Sequence, residues 1–118
     1  MQEFKFDYDE ENNDLFIYSD KRKSAASVEI GDIIFDFDNK KGLSGIEIMN
    51  ATSYLSALIS GFKVSKSALA NLLSCKVESK IMNNLLLVKI ILVMKEKEQI
   101  PVNLTIPRIT NPSPAVAS

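Results

Sequence analysis

Carboxylates two residues apart occur twice early in the chain, as Asp7 with Asp9 and as Asp36 with Asp38. At that spacing both members of a pair project from one face of a strand. Such pairs can divide acid and base roles or share a hard cation. The second pair invites the closer look, because Glu47 stands at the twelfth place counted from Asp36. A calcium loop takes oxygens from its first, third and fifth places, turns on a glycine at the sixth and closes on a bidentate glutamate at the twelfth. Asp36, Asp38 and Glu47 fill the first, third and twelfth places, but Lys40 brings a cation to the fifth and Lys41 takes the glycine place. Glu47 also falls within a strand pattern instead of leading into a helix. The stretch reads as a hairpin turn, with Asp36, Asp38 and Glu47 left as metal candidates that lack a full ligand set. No cofactor is expected.

Other chemistry is thinly provided. The chain has no histidine, which removes every Ser-His and Cys-His nucleophile–base pair and the commonest zinc ligand. Ser60 and Lys63 have the Ser-x-x-Lys spacing of some acyl-enzyme sites, without the companion motifs those sites need. Gly31, Gly42, Gly45 and Gly61 are scattered and form no phosphate-binding loop. Cys75 is the single cysteine, so no intrachain disulfide forms, and its apolar neighbours suggest a packing role. Lys21-Arg22-Lys23 is a short basic loop whose only nearby aromatic is Tyr18, a poor platform for nucleic acid. The expectation is a protein that is not an enzyme.

The elements that would hold these residues follow from periodicity. Phe6 to Asp9 runs through Glu10–Asn13 into Leu15–Tyr18, and Phe35 to Asp38 runs through a polar turn into Leu43–Ile48. Each alternates with the two-residue period of a half-buried strand, breaks at a polar cluster and resumes, which is a hairpin signature. Ala26–Ile30 alternates too, with Gly31-Asp32 as a tight turn. The first fifty residues therefore predict a five-strand antiparallel meander. After Asn50 the period becomes helical, with Ala51, Tyr54, Leu55, Leu58, Ile59 and Phe62 on one face, Asn50 as N-cap and Gly61 as closing residue. Ser65 caps a second helix with stripe Ala68, Leu69, Leu72 and Leu73. Both helices are expected to be about ten residues long, a length that only tertiary packing can hold. Strands return at Val77–Met82, Leu85–Met94 and Val102–Ile106. The fold class predicted is α+β: an antiparallel β-meander, two short helices, then further antiparallel strands.

In a chain of 118 residues with net charge −1, these elements predict a single β-rich domain over 1–106, with halves at 6–60 and 63–106 and a proline-rich tail at 107–118 expected to be disordered. The charge divides unevenly. Residues 1–50 carry twelve acids and six bases, net −6, and residues 51–118 carry three acids and eight bases, net +5. No cationic segment leading into an apolar run opens the chain, and the ten-residue apolar run Leu85–Met94 is too short to span a bilayer. A cytoplasmic protein is expected, with no membrane and no nucleic acid among its partners. That apolar run also predicts assembly. Leu86, Val88, Ile90, Leu92 and Met94 lie on one strand face and Leu85, Leu87, Ile91 and Val93 on the other. A small sheet covers one such face more readily than both, so the even-numbered set is expected to form a homodimer interface.

Taken together, Tyr8-Asp9, Asp14-Leu15, Val28, Asp36, Asp38 and Gly45-Ile46-Glu47-Ile48 resemble the pattern of the bacterial and archaeal family called domain of unknown function 2283. Phe16 replaces the family's usual Tyr, Thr52 sits near its usual Ser, and its turn glycine appears one residue late, as Gly42. The resemblance covers roughly residues 6–60. It implies a small β-rich fold without an established activity, and some members look like partners encoded beside toxin-like proteins. The expected function is a protein–protein interaction module that self-associates. An antitoxin-like role and a small-ligand or metal binder using the acidic sheet face are the alternatives.

Overall fold

A computed structural model describes residues 1–40, 42–59, 63–95 and 98–107. Strands β1 (Gln2–Asp9) and β2 (Asp14–Tyr18) form a hairpin. Asp9 closes its turn, accepting from the Asn12 amide N–H at 3.1 Å and the Asn12 side chain at 2.8 Å, while Asn13 takes the left-handed conformation at φ 58°. Strands β3 (Ala26–Ile30) and β4 (Ile33–Phe37) turn on Gly31, whose φ of 59° suits a residue without Cβ. Strand β5 (Leu43–Ile48) pairs with β4 across the Asp38–Gly42 turn.

Helices α1 (Ala51–Leu58) and α2 (Lys66–Ala70) carry the chain from β5 to β6 (Ser74–Met82). Strand β7 (Leu85–Val93) follows a turn at Asn83-Asn84, and β8 (Gln99–Pro107) completes the described chain. All pairings are antiparallel, in the order β3-β4-β5-β2-β1-β6-β7-β8. The fold is thus mostly antiparallel sheet with two short helices.

The expected five-strand meander is only partly present. Strands β3, β4 and β5 run consecutively, but β2 pairs with β5 and not with β3. The cause is visible in the register: Leu15 lies opposite Ile48 and Ile17 opposite Ile46, so two apolar rows meet on one face. Strand β1 is a junction. Its first residues, Gln2–Phe4, pair with β6, and its remainder, Lys5–Asp9, pairs with β2.

The inner faces form one core that includes Leu15, Ile17, Ile33, Phe35, Ile46 and Ile48 from the first five strands and Val88, Ile90, Leu92 and Val102 from the last three. Ala51 and Leu55 of α1 and Leu69 of α2 belong to it. Helix α2 is shorter than expected, five residues, though Ser65 caps it as expected by accepting from the Ala68 N–H at 3.1 Å. The Leu73 N–H donates to the Val93 carbonyl at 2.8 Å, so the chain has already joined the sheet, and the Leu73 side chain is exposed.

Asn50 is left-handed at φ 51° and makes no side-chain cap bond. Asn13, far upstream, serves α1 instead: its carbonyl accepts from the Ala51 N–H at 2.9 Å and its side-chain oxygen from the Thr52 N–H at 3.3 Å. The expected closing residue Gly61, the stripe member Phe62 and the 108–118 part of the tail lie outside the described residues.

The expected assembly face needs correction. Val88, Ile90, Leu92 and Met94 are buried within the single chain, and Leu86 is half-buried. The even-numbered face of β7 is therefore the chain's own core. Across the sheet Ile90 sits between Val77 of β6 and Val102 of β8, both buried. On the opposite face Leu87, Ile91 and Val93 are half-buried while Leu85 and Lys89 are exposed.

Candidate functional site

The outer face of β1, β2, β5, β4 and β3 gathers most of the acidic residues noted in the sequence. Read across the strands, one row runs Asp7, Phe16, Glu47, Ile34 and Glu29. The neighbouring row runs Lys5, Tyr18, Gly45, Asp36 and Ser27. Between them lies an open groove of about 380 Å³, lined by Asp7, Phe16, Tyr18, Asp36 and Glu47 together with Ile17 and Ile46.

The two carboxylate pairs split their duties in the same way. Asp9 and Asp38 serve turns. Asp38 accepts from the Lys40 N–H at 2.9 Å and the Gly42 N–H at 2.7 Å through one oxygen, and from the Arg22 guanidinium at 3.1 Å through the other. The Gly42 amide first, then Lys40 and Arg22, hold its carboxyl below the ordinary aspartate value. A Cβ at residue 42 would fall on the Arg22 guanidinium, so the displaced turn glycine makes room for that ion pair. Asp7 and Asp36, by contrast, line the groove.

Asp36 is fixed from two sides. The Ser27 hydroxyl donates to one of its oxygens, and its side chain lies across Gly45, where an added Cβ would stand 3.3 Å from the other oxygen and 3.3 Å from the Ile17 carbonyl. The Gly-Ile-Glu-Ile stretch thus combines two inward isoleucines, a glycine that accommodates Asp36 and an outward glutamate. Glu47 is half-buried, and its carboxyl is raised above the ordinary glutamate value, first by burial and then by Asp14, Asp36 and Glu29. The three calcium-loop candidates therefore part company: Asp36 and Glu47 share the groove, while both Asp38 oxygens are engaged in the turn. Lys41, in the glycine place of that loop, lies outside the described residues. Among the described residues no three His, Cys, Asp or Glu side chains come close enough to hold one ion.

The other candidates are dispersed. Cys75 is buried, and its thiol is pushed up to about 12 by burial, which keeps it from acting as a thiolate. Ser60 of the Ser-x-x-Lys spacing lies outside the described residues. Of the basic loop, Arg22 is engaged with Asp38 while Lys21 and Lys23 are exposed. Among the described residues no helix is long and apolar enough to cross a membrane.

Two features had no local signal in the sequence. One is the cluster around Asn13, whose side-chain oxygen accepts from the Tyr8 hydroxyl at 2.7 Å and whose amide donates to the Thr52 hydroxyl at 3.0 Å. The other is the bulge at Ser44, where pairing steps from Asp36 opposite Gly45 to Phe37 opposite Leu43. The Ser44 hydroxyl is buried and has no hydrogen-bond partner among the described residues.

Comparison with known proteins places these features in a family. No solved structure matches the chain. An uncharacterised protein of Methanocaldococcus jannaschii is 35% identical over 97 residues, covering 80% of this chain and 78% of that protein. A Methanosarcina mazei protein named "Putative hypoxanthine phosphoribosyltransferase" is 35% identical over 49 residues, 42% of this chain and 40% of its own length. The profile described as protein of unknown function (DUF2283) matches residues 5–51, the stretch that holds β2 to β5, the part of β1 that pairs with β2, and their acidic outer face. The chain belongs to the DUF2283 family.

Proposed function

We propose that this protein is a non-enzymatic protein–protein interaction module that self-associates. The observation that carries the reading is the exposed apolar end of the β6–β7 hairpin. Ile81 is 51% exposed, Met82 46% and Leu85 41%, although all three lie in strands. A contiguous exposed apolar patch is the kind of surface that protein partners cover. The half-buried Leu87, Ile91 and Val93 continue from Met82 and Leu85 along the outer face of β7, while Ile81, paired with Leu86, lies on the other face. Sedimentation equilibrium at tens of micromolar tests the reading. A dimer or higher species is expected, and a monomer across the whole range would remove self-association.

A second reading, a small-ligand or cation site on the acidic face, is favoured by one observation. Asp36 is pre-positioned beside Glu47, whose carboxyl is already held toward its protonated form by burial and by neighbouring acids. A cation or a basic group entering the groove would relieve that crowding. Calorimetric titration with calcium, magnesium and manganese tests it, and the absence of heat and of any thermal shift would end the metal version.

A further inference from the structure

The outer face of the sheet changes character across β1. From the part of β1 that pairs with β2 through to β3, its strands present Asp7, Asp14, Glu47, Asp36 and Glu29. Lys5 is the only base in those strands, and Asp20 already holds it at 3.1 Å. Apolar surface lies among the acids, since Phe16 and Ile34 are half-buried and Tyr18 is exposed.

Beyond β1 the outer face of β6, β7 and β8 is apolar and basic. Lys76, Lys80 and Lys89 stand on it, all exposed, around a central strand whose outward positions are otherwise Leu85, Leu87, Ile91 and Val93. Its one acid within strands is Glu78, which lies opposite Lys89 in the register. Neither face suits a copy of itself. Stacking the acidic face on its own copy sets acids against acids, and the basic face has a single acid for three lysines. Each face instead answers the other, with apolar surface at the centre and charges of opposite sign around it. The same imbalance runs through the whole chain, at −6 over residues 1–50 and +5 over residues 51–118, so the two halves nearly cancel. A second copy therefore brings the charge that each face lacks. A small cation would answer the acids but leave the apolar strip of β7 uncovered.

We infer that the acidic outer face of β1–β5 receives the basic, apolar outer face of β6–β8 of a second copy of this chain. The contact joins unlike surfaces and is heterologous. It rests on the self-association proposed above and assigns it two surfaces. The test uses the full chain and two charge-reversed variants. One carries Asp7→Lys with Glu29→Lys, at exposed positions near the two ends of the acidic face. The other carries Lys80→Glu with Lys89→Glu, both exposed on the basic face. A control places Lys21→Glu with Lys23→Glu in the β2–β3 loop, where both lysines are exposed, and changes the net charge by the same amount as the second variant. Circular dichroism establishes that each variant folds, and sedimentation equilibrium reads assembly.

The wild type is expected to associate, and the control to associate as the wild type does. Each reversed variant alone sets like charges across the contact and should associate at least roughly tenfold more weakly. An equimolar mixture of the two restores opposite charges across the contact and should recover assembly. If the wild type associates but the reversed variants do so equally well, or the control is weakened as much as they are, or mixing restores nothing, this contact is wrong while self-association stands. If the wild type stays monomeric, both fall.

Discussion

At the scale of single residues, the acids of the outer face respond to pH in opposite senses. Glu47 is raised, so the folded chain binds its proton more tightly than the unfolded chain does. Stability from this group therefore falls as pH rises from the ordinary glutamate value through the raised one, and the charging penalty persists above it. Glu47→Gln should raise the thermal midpoint modestly at pH 7, and the gain should vanish below about pH 4, where glutamate is neutral in both states. Asp38 is lowered by its turn contacts, so its contribution is full above the ordinary aspartate value and is lost as pH falls through the folded one. Asp38→Asn should lower the midpoint at neutral pH and converge with the wild type in strong acid. Thermal melts of both variants across pH 2 to 8 check the two signs together, at about one-unit steps. The spacing of the acid pairs was legible in the sequence, but their division into turn and groove members was not. That division depends on Ser27, Gly45 and Arg22, each brought in from another strand or loop. Ser44 offers a simpler test. Its buried hydroxyl has no partner among the described residues, so Ser44→Ala removes a desolvated group without breaking a bond. It should leave stability unchanged or raise it by up to about 1 kcal/mol in urea unfolding.

At the scale of elements, α1 shows how a helix too short to persist alone is secured. Its apolar stripe was legible in part, since Ala51 and Leu55 repeat at helical spacing and are both fully buried and Tyr54 and Ile59 are half-buried, but Leu58, expected on the same face, is exposed. Its cap was not, because the capping residue sits in the β1–β2 turn, 39 residues from Thr52 in sequence. Asn13 combines two properties there. Its φ of 58° is accessible to Asn and Gly but strained for Ala, and its side chain joins Tyr8, Asn50 and Thr52. Asn13→Gly should keep the backbone geometry and lose the side-chain bonds, lowering stability by about 1–2 kcal/mol. Asn13→Ala should add roughly 1 kcal/mol of backbone strain to that loss. Denaturant unfolding of the pair separates the two effects, and equal losses would show that strain plays no part. Helix α2 illustrates the reverse outcome. Its cap at Ser65 was legible because it is local, but its length was not. The bond from Leu73 to Val93 draws the chain into the sheet before the apolar stripe is used up.

At the scale of the whole molecule, hairpins were legible and strand order was not. Turn chemistry is local, so Asn12-Asn13, Gly31-Asp32 and Asn83-Asn84 each announce a reversal in the sequence itself. The pairing of β2 with β5 depends on which apolar faces meet across a long stretch of intervening chain, and no turn signal records it. The same limit applied to β7. Its apolar run on both faces announced that something must cover it, but not that the chain's own sheet and helices would cover the even-numbered face. That distinction makes Ile90 the sharpest probe of the architecture. A residue at a dimer interface, replaced by a charge, leaves a folded monomer; a core residue leaves no fold. Ile90 is fully buried inside one chain, between Val77 and Val102, with no solvent path for a carboxylate. Ile90→Asp should therefore cost more than about 4 kcal/mol, a large part of the whole stability of a domain this size. Lys89, its neighbour on the exposed face, lies across from Glu78 and Asn103 in the register, so Lys89→Glu sets two acids opposite each other at an exposed position and should cost no more than about 1 kcal/mol. Circular dichroism with sedimentation on both variants decides the matter. An unfolded Ile90→Asp chain at every concentration beside a folded Lys89→Glu chain is the expected result, and a folded, monomeric Ile90→Asp protein would return the even-numbered face of β7 to the surface.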